Sequence, residues 1–114
     1  MKVEEFRRLQ ARRMTEAELQ NQVVALAKRL GWLCYHTFDS RRSTAGYPDL
    51  HLVHPTGVSV FRELKSETGV VSPAQRSWIA ALTAAGCDAG VWRPKHLLAG
   101  DVEATLRIGR RKRG

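Results

Sequence analysis

Two helix-start signals divide the chain and leave little freedom in what lies between them. Thr15 and Glu18 have the spacing of a capping box, in which the threonine hydroxyl accepts from the third amide of the helix and the glutamate reaches back to the threonine amide. Met14 and Leu19 stand where a hydrophobic staple packs, so a helix is expected to begin at Glu16. Leu19, Val23, Leu26 or Ala27, and Leu30 then form an apolar stripe of helical period, which Gly31 ends. The second signal is Ser72-Pro73-Ala74-Gln75, with serine as N-cap, proline at the first helical position and glutamine as the capping partner. Trp78, Ile79, Leu82 and Ala85 supply the expected buried stripe of that helix, and Gly86 its stop.

The residues between and after these helices read as short strands. Residues 32–36 are apolar and aromatic, residues 49–53 and 58–65 flank the turn His54-Pro55-Thr56-Gly57, and residues 87–93 are closed by Pro94. The polar stretches 37–48 and 67–71 are loops. The order is helix, three strands, helix, strand, which predicts an α/β domain with a mixed central sheet flanked by helices. Around this domain, placed at 14–100, lie a basic N-terminal segment 1–13 and a basic C-terminal tail 101–114. The first carries Val3, Phe6 and Leu9 at a three-residue spacing, and the second has room for a short helix over 101–108 before Arg110-Arg111-Lys112-Arg113.

A chain of 114 residues with 43% hydrophobic content supports one core, and at this size self-association as a homodimer would add useful buried surface. Nineteen Lys and Arg against eleven Asp and Glu give a net charge of +8, which points to a polyanionic partner. No apolar run approaches the roughly 20 residues that span a bilayer, and the first residues do not resemble a signal peptide. A cytoplasmic protein with no membrane partner is expected. Cys34 and Cys87 suggest buried thiols rather than a disulfide scaffold, and the four histidines lack zinc-ligand spacing.

Hydrolysis of a phosphodiester requires a divalent cation held by carboxylates, a positive group near the developing charge and a positioned water. Oxygen ligands suit Mg2+ or Mn2+. Asp49 opens the second strand, while Glu63 and Lys65 lie near the end of the third. A hairpin register sets the start of one strand beside the end of the other, so one metal can bridge Asp49 and Glu63. Glu63 and Lys65 share a face, about 6.6 Å apart along the strand. The Leu64 carbonyl is a further candidate ligand. Arg62 shares the face of Leu64 and Val60, and a local bulge or an exposed strand end is expected to accommodate it. By itself Glu63-Leu64-Lys65 reads equally as a solvated charge pair on an edge strand.

Four segments in order, Thr15-Glu16-Ala17-Glu18-Leu19-Gln20, Gly46-Tyr47-Pro48-Asp49-Leu50, Arg62-Glu63-Leu64-Lys65 and Ser72-Pro73-Ala74-Gln75, closely resemble the VRR-NUC domain of the PD-(D/E)XK nuclease superfamily. The resemblance runs from about Thr15 to Pro94 and includes stand-alone phage and bacterial forms. It implies a restriction-endonuclease-like αβββαβ core, Asp49 and Glu63 as metal ligands, and Lys65 as the catalytic lysine. Glu16 resembles the first-helix glutamate that such nucleases bring to the metal through water. Its alternative role is a favourable charge at a helix N-terminus. Gln75 falls where the family carries a glutamine near the centre, although the capping box explains it too.

Ser40, Arg41 and Arg42, in the loop before Asp49, have a composition suited to phosphate contacts, and His36 ends the first strand within reach of the site. Trp32, Trp78 and Trp92 read as core rather than base-stacking residues. The function expected is a metal-dependent endonuclease acting on duplex or branched DNA, with junctions or flaps as substrates implied by the resemblance. A catalytically silent basic nucleic-acid-binding module and an RNA-directed nuclease are the rival readings.

Overall fold

The computed structural model describes residues 2–37 and 44–111. Nine elements follow one another among them: α1 (Val3–Arg13), α2 (Glu16–Arg29), β1 (Leu33–His36), β2 (Leu50–His54), β3 (Val58–Leu64), α3 (Pro73–Ala84), β4 (Asp88–Trp92), α4 (Pro94–Leu98) and α5 (Asp101–Arg111). The expected order α2-β1-β2-β3-α3-β4 is present, framed by α1 in front and by α4 and α5 behind. The sheet order is β1-β2-β3-β4. β1, β2 and β3 pair antiparallel, and β4 joins β3 in parallel after the α3 crossover.

Both capping boxes form as the sequence predicts, Thr15 with Glu18 and Ser72 with Gln75. α2 buries Leu19, Val23 and Ala27, with Leu30 and Trp32 just beyond it. Ala27, not Leu26, continues the stripe because it keeps the four-residue step from Val23. These side chains meet Leu50, Leu52, Val60, Leu64 and Trp92 from one face of the sheet. A buried leucine of this kind contributes about 1.5–3 kcal/mol.

The end of the chain differs from the expected basic tail. Val102 and Leu106 of α5 are fully buried in the same core. The Trp32 indole donates to the Leu106 carbonyl at 2.8 Å, and the Thr56 hydroxyl to that of Gly109 at 2.8 Å. A four-residue apolar repeat is enough to dock a helix that also carries Asp101, Glu103 and Arg107. α4 is a second difference: Pro94 closes the predicted strand but also occupies the first position of a helix, where proline is favoured. α1 rests against α4 and leaves Val3 and Phe6 exposed.

Three further expectations need correction. Arg62 sits in neither a bulge nor an exposed strand end: the β2–β3 register is continuous, and the residue is buried. Its guanidinium is compensated from three directions, by the Asp88 carboxylate at 2.8 Å, by the carbonyls of Phe61 and Asp88 at 2.9 and 3.0 Å, and by the Trp92 ring at 4.7 Å. The stripe of α3 is not buried: Trp78, Ile79 and Leu82 are half-buried and Ala85 is exposed. Among the described residues α3 is the helix on the sheet face opposite α2, and no second helix there seals its flanks. Cys34 and Cys87 are likewise only half-buried.

His54, expected in a turn, ends β2 as a buried residue. Its Nδ1 accepts from the Thr56 amide, and its Nε2 lies 3.1 Å from the Leu30 carbonyl, so both nitrogens are satisfied.

Candidate active site

The turn that delivers Asp49 is built against the first turn of α3. Gly46 has φ +91°, and a Cβ there would lie 2.5 Å from the carbonyl carbon and oxygen of Ala74. Only glycine permits both that backbone conformation and that approach. The Tyr47 ring stands edge-on to Trp78, centroids 5.1 Å apart, and the Trp78 indole donates to the Ala45 carbonyl at 3.1 Å. Pro48 is fully buried. The Thr37 amide donates to the Asp49 carbonyl at 3.1 Å, which fixes the main chain just before β2.

Asp49 extends the β2–β3 pairing by one step and so stands opposite Glu63. Its Oδ2 accepts from the Leu64 amide at 2.9 Å. The side chain thereby takes the place that a β2 main-chain acceptor would occupy. In an extended strand the N–H and C=O of one residue point to the same edge, so the Leu64 carbonyl shares the edge on which Asp49 lies.

Glu63 is 2% exposed. Its Oε2 accepts from Gln75 Nε2 at 2.8 Å and lies 3.5 Å from Lys65 Nζ. Its Oε1 is buried with no hydrogen-bond partner. Burial pushes the Glu63 carboxyl up to about 8, the Asp49 charge and hydrogen bond push in the same direction, and Lys65 opposes them. The Lys65 amide is fixed on the Trp92 carbonyl at 3.1 Å. The following loop is gathered by Arg93, which donates to the carbonyls of Ser66 and Gly69 at 2.7 and 2.8 Å.

Gln75 resolves the two readings of its position by serving both. Its Oε1 accepts from the Ser72 amide at 2.8 Å, completing the capping box, while its Nε2 holds Glu63. Glu16 and Glu18 separate as expected: Glu18 accepts from Thr15, and Glu16 is exposed at the rim of a cavity of about 180 Å³. Ala17, Gln20, Asn21, Asp49 and Leu64 complete that cavity's lining. Gln20 and Asn21 were missed in the sequence, although Gln20 lies one helical turn after Glu16 and was within reach of the same periodicity argument.

His36 pairs with Leu50, and its neighbour Cys34 packs on the core, so His36 lies on the α2 side of the sheet rather than on the Glu63 side. Ser40, Arg41 and Arg42 lie outside the described residues. Burial lowers the pKa of His51, which stacks on Phe61 with centroids 4.1 Å apart and bonds the Ser59 hydroxyl at 2.8 Å. Trp32 and Trp92 are core residues, while Trp78 is half-buried.

Two facing carboxylates, one with an orphaned buried oxygen, form a donor set whose charge a divalent cation would neutralise. Among the described residues no group of three His, Cys, Asp or Glu side chains gathers to hold a metal. A pair of carboxylates with a main-chain oxygen fits a hard cation that keeps several of its waters. The residues present therefore fit Mg2+ or Mn2+.

Comparison with known proteins identifies the family. The family model described as the VRR-NUC domain matches residues 1–95. A solved structure named "VRR_NUC domain" is 28% identical, with a TM-score of 0.58 over 68% of this chain and 84% of the other. A second, named "VRR_NUC domain protein", is 26% identical, with a TM-score of 0.54 over 68% of this chain and 76% of the other. No curated protein matches. A VRR-NUC model matched from residue 1 to 95, on a sheet that brings Asp49, Glu63 and Lys65 to one end, places the chain in the VRR-NUC domain family of the PD-(D/E)XK nuclease superfamily.

Proposed function

We propose that the protein is a metal-dependent endonuclease that hydrolyses DNA phosphodiester bonds at the Asp49–Glu63–Lys65 centre. The observation that carries this reading is the buried carboxylate pair: Glu63 faces Asp49, whose charge and hydrogen bond raise its pKa, and no donor of the described residues meets its Oε1. An unpaired oxygen of this kind costs about 1–3 kcal/mol, and more when charged, unless a ligand compensates it. Asp49 and Glu63, with the Leu64 carbonyl, would hold Mg2+ or Mn2+, and Glu16 would reach the same ion through water. When bound, that ion supplies Lewis-acid stabilisation of the charge that develops on the phosphate.

The chain's own residues do the rest. Gln75 and Lys65 fix Glu63 Oε2 from two sides, and the Leu64 amide fixes Asp49, so both carboxylates are oriented before any ligand arrives. Lys65, with its side chain 14% exposed just past the strand end, donates to a phosphate oxygen or aligns the attacking water. The net charge of +8 favours encounter with a polyanion. No helix of the described residues is long and apolar enough to cross a membrane.

The test is a panel of labelled single strand, duplex, flap, four-way junction and RNA incubated with Mg2+, Mn2+ or EDTA. Cleavage that EDTA abolishes is expected, with Lys65→Ala and Asp49→Ala each losing about a hundredfold or more while retaining DNA binding. Full activity in Lys65→Ala would overturn the assignment. Binding without products in any arm would leave a silent binding module, and RNA products alone would move the substrate class. The flap and junction arms read structure preference, and sedimentation reads whether two copies act together.

A further inference from the structure

The sheet face that carries Glu63 is only partly covered. α3 packs against β4 and reaches Glu63, whereas on β1 Leu33 and Tyr35 are 69% and 64% exposed. The register defines a row across this face: Tyr35 stands opposite His51, and His51 opposite Phe61. Glu63 lies two residues beyond Phe61 on β3, on the same face and about 6.6 Å away, and Asp49, just ahead of β2, stands beside it. His51 lies flat on Phe61, the planes 13° apart and the centroids 4.1 Å apart, and Ser59 fixes its Nε2 at 2.8 Å. The Tyr35 side chain, beside them, has neither a ring partner nor a hydrogen bond among the described residues.

We propose that the Tyr35–His51–Phe61 row is a stacking platform for an unpaired base of the nucleic acid whose backbone is presented to Asp49 and Glu63. This deepens the nuclease reading and rests on it for the position of the backbone. The occupant follows from three features. The row is aromatic, with His51 and Phe61 already stacked on each other and the Tyr35 ring exposed beside them, so it fits a flat π-system. It is continuous with the carboxylate row, so a strand held at one reaches the other within one step. The chain is strongly positive, so the π-system it collects is attached to a polyanion. In a duplex the bases are already stacked on one another, and only an unpaired base offers its face. The substrate therefore carries a single-stranded segment beside the scissile bond.

The experiment uses the full chain in EDTA, so that binding is read without turnover. The probe is a short single-stranded DNA with one 2-aminopurine, compared with a blunt duplex of the same sequence. Tyr35→Ala is expected to weaken single-strand binding about fivefold to a hundredfold and to relieve the 2-aminopurine quench, with duplex binding unchanged. Tyr35→Trp restores both. Equal loss for single strand and duplex, or no loss at all, overturns the proposal. So does a change in sedimentation from dimer to monomer in Tyr35→Ala, which would assign this face to a second copy. A wild type that binds in this Tyr35-dependent way but cuts nothing with Mg2+ would defeat the nuclease reading while leaving the platform in place. A wild type that cuts without dependence on Tyr35 would do the reverse.

Discussion

The side-chain amide of Gln75 ties the start of α3 to the Glu63 carboxylate. Its Oε1 accepts from the Ser72 amide and its Nε2 donates to Glu63 Oε2, each at 2.8 Å. A capping residue is therefore also a support for the candidate metal ligand, and the two roles separate by substitution. Ser72→Ala removes the cap and is expected to cost about 1 kcal/mol of stability with activity close to wild type. Gln75→Ala removes the cap partner and the donor to Glu63 together. It is expected to cost about 1–3 kcal/mol and to lower cleavage at least tenfold more than Ser72→Ala does. Thermal melts and cleavage rates on the same two variants check this, and equal cleavage by both would remove Gln75 from the site.

Without metal, the buried Glu63 makes the fold sensitive to pH. Its carboxyl rises from an ordinary 4.5 to about 8, so between these values the folded state binds more protons than the unfolded chain. Stability is accordingly greatest below about 4.5 from this group, falls as pH rises towards 8, and is flat above that. Melting temperatures in EDTA are expected to fall across this window in the wild type, with the slope much reduced in Glu63→Gln. Added Mg2+ at pH 8 is expected to raise the melting temperature of the wild type but not of Asp49→Ala, by mass action on the folded state.

Gly46 and Gly57 share a positive φ, +91° and +97°, but differ in their surroundings. A Cβ at Gly57 meets nothing within 4 Å, whereas at Gly46 it strikes the Ala74 carbonyl at 2.5 Å. Gly57→Ala is expected to cost about 1–2 kcal/mol from backbone strain alone, with activity intact. Gly46→Ala is expected to cost more and to reduce cleavage, because relief of the clash moves the Asp49 turn off α3. Denaturant melts combined with cleavage assays distinguish them.

The Arg62–Asp88 pair offers a test of how the core tolerates a charge. Asp88→Ala leaves a buried guanidinium with only its carbonyl and ring partners and is expected to destabilise by about 1–3 kcal/mol. Arg62→Met removes the charge and keeps the length. It is expected to cost less than Asp88→Ala, since an apolar residue of similar volume avoids the desolvation of a buried ion. Urea titrations at pH 7 report the order, and a larger loss for Arg62→Met would reverse it.

Local signals carried much of this protein. The capping boxes at Thr15 and Ser72 and the α2 stripe depend on residues within one or two turns, where spacing alone dictates contact, and both helices start where those signals place them. The paired strand ends that bring Asp49 to Glu63 were also legible, because a short hairpin fixes its own register.

What the sequence did not reveal depends on partners distant along the chain. Arg62 looked misplaced because Asp88 and Trp92 arrive only through the parallel β4. The last helix looked like a basic tail because Val102 and Leu106 acquire a core only when α2 and the sheet form it. The incomplete burial of Trp78 and Ile79 was equally hidden, since helical period identifies an apolar stripe but not whether a second layer covers it. The sequence by itself determined where helices begin and which residue types meet at the strand ends. Tertiary structure alone decided which charges are compensated, and it left one oxygen of Glu63 buried without a partner, because burial is a property of the whole packed chain rather than of any segment.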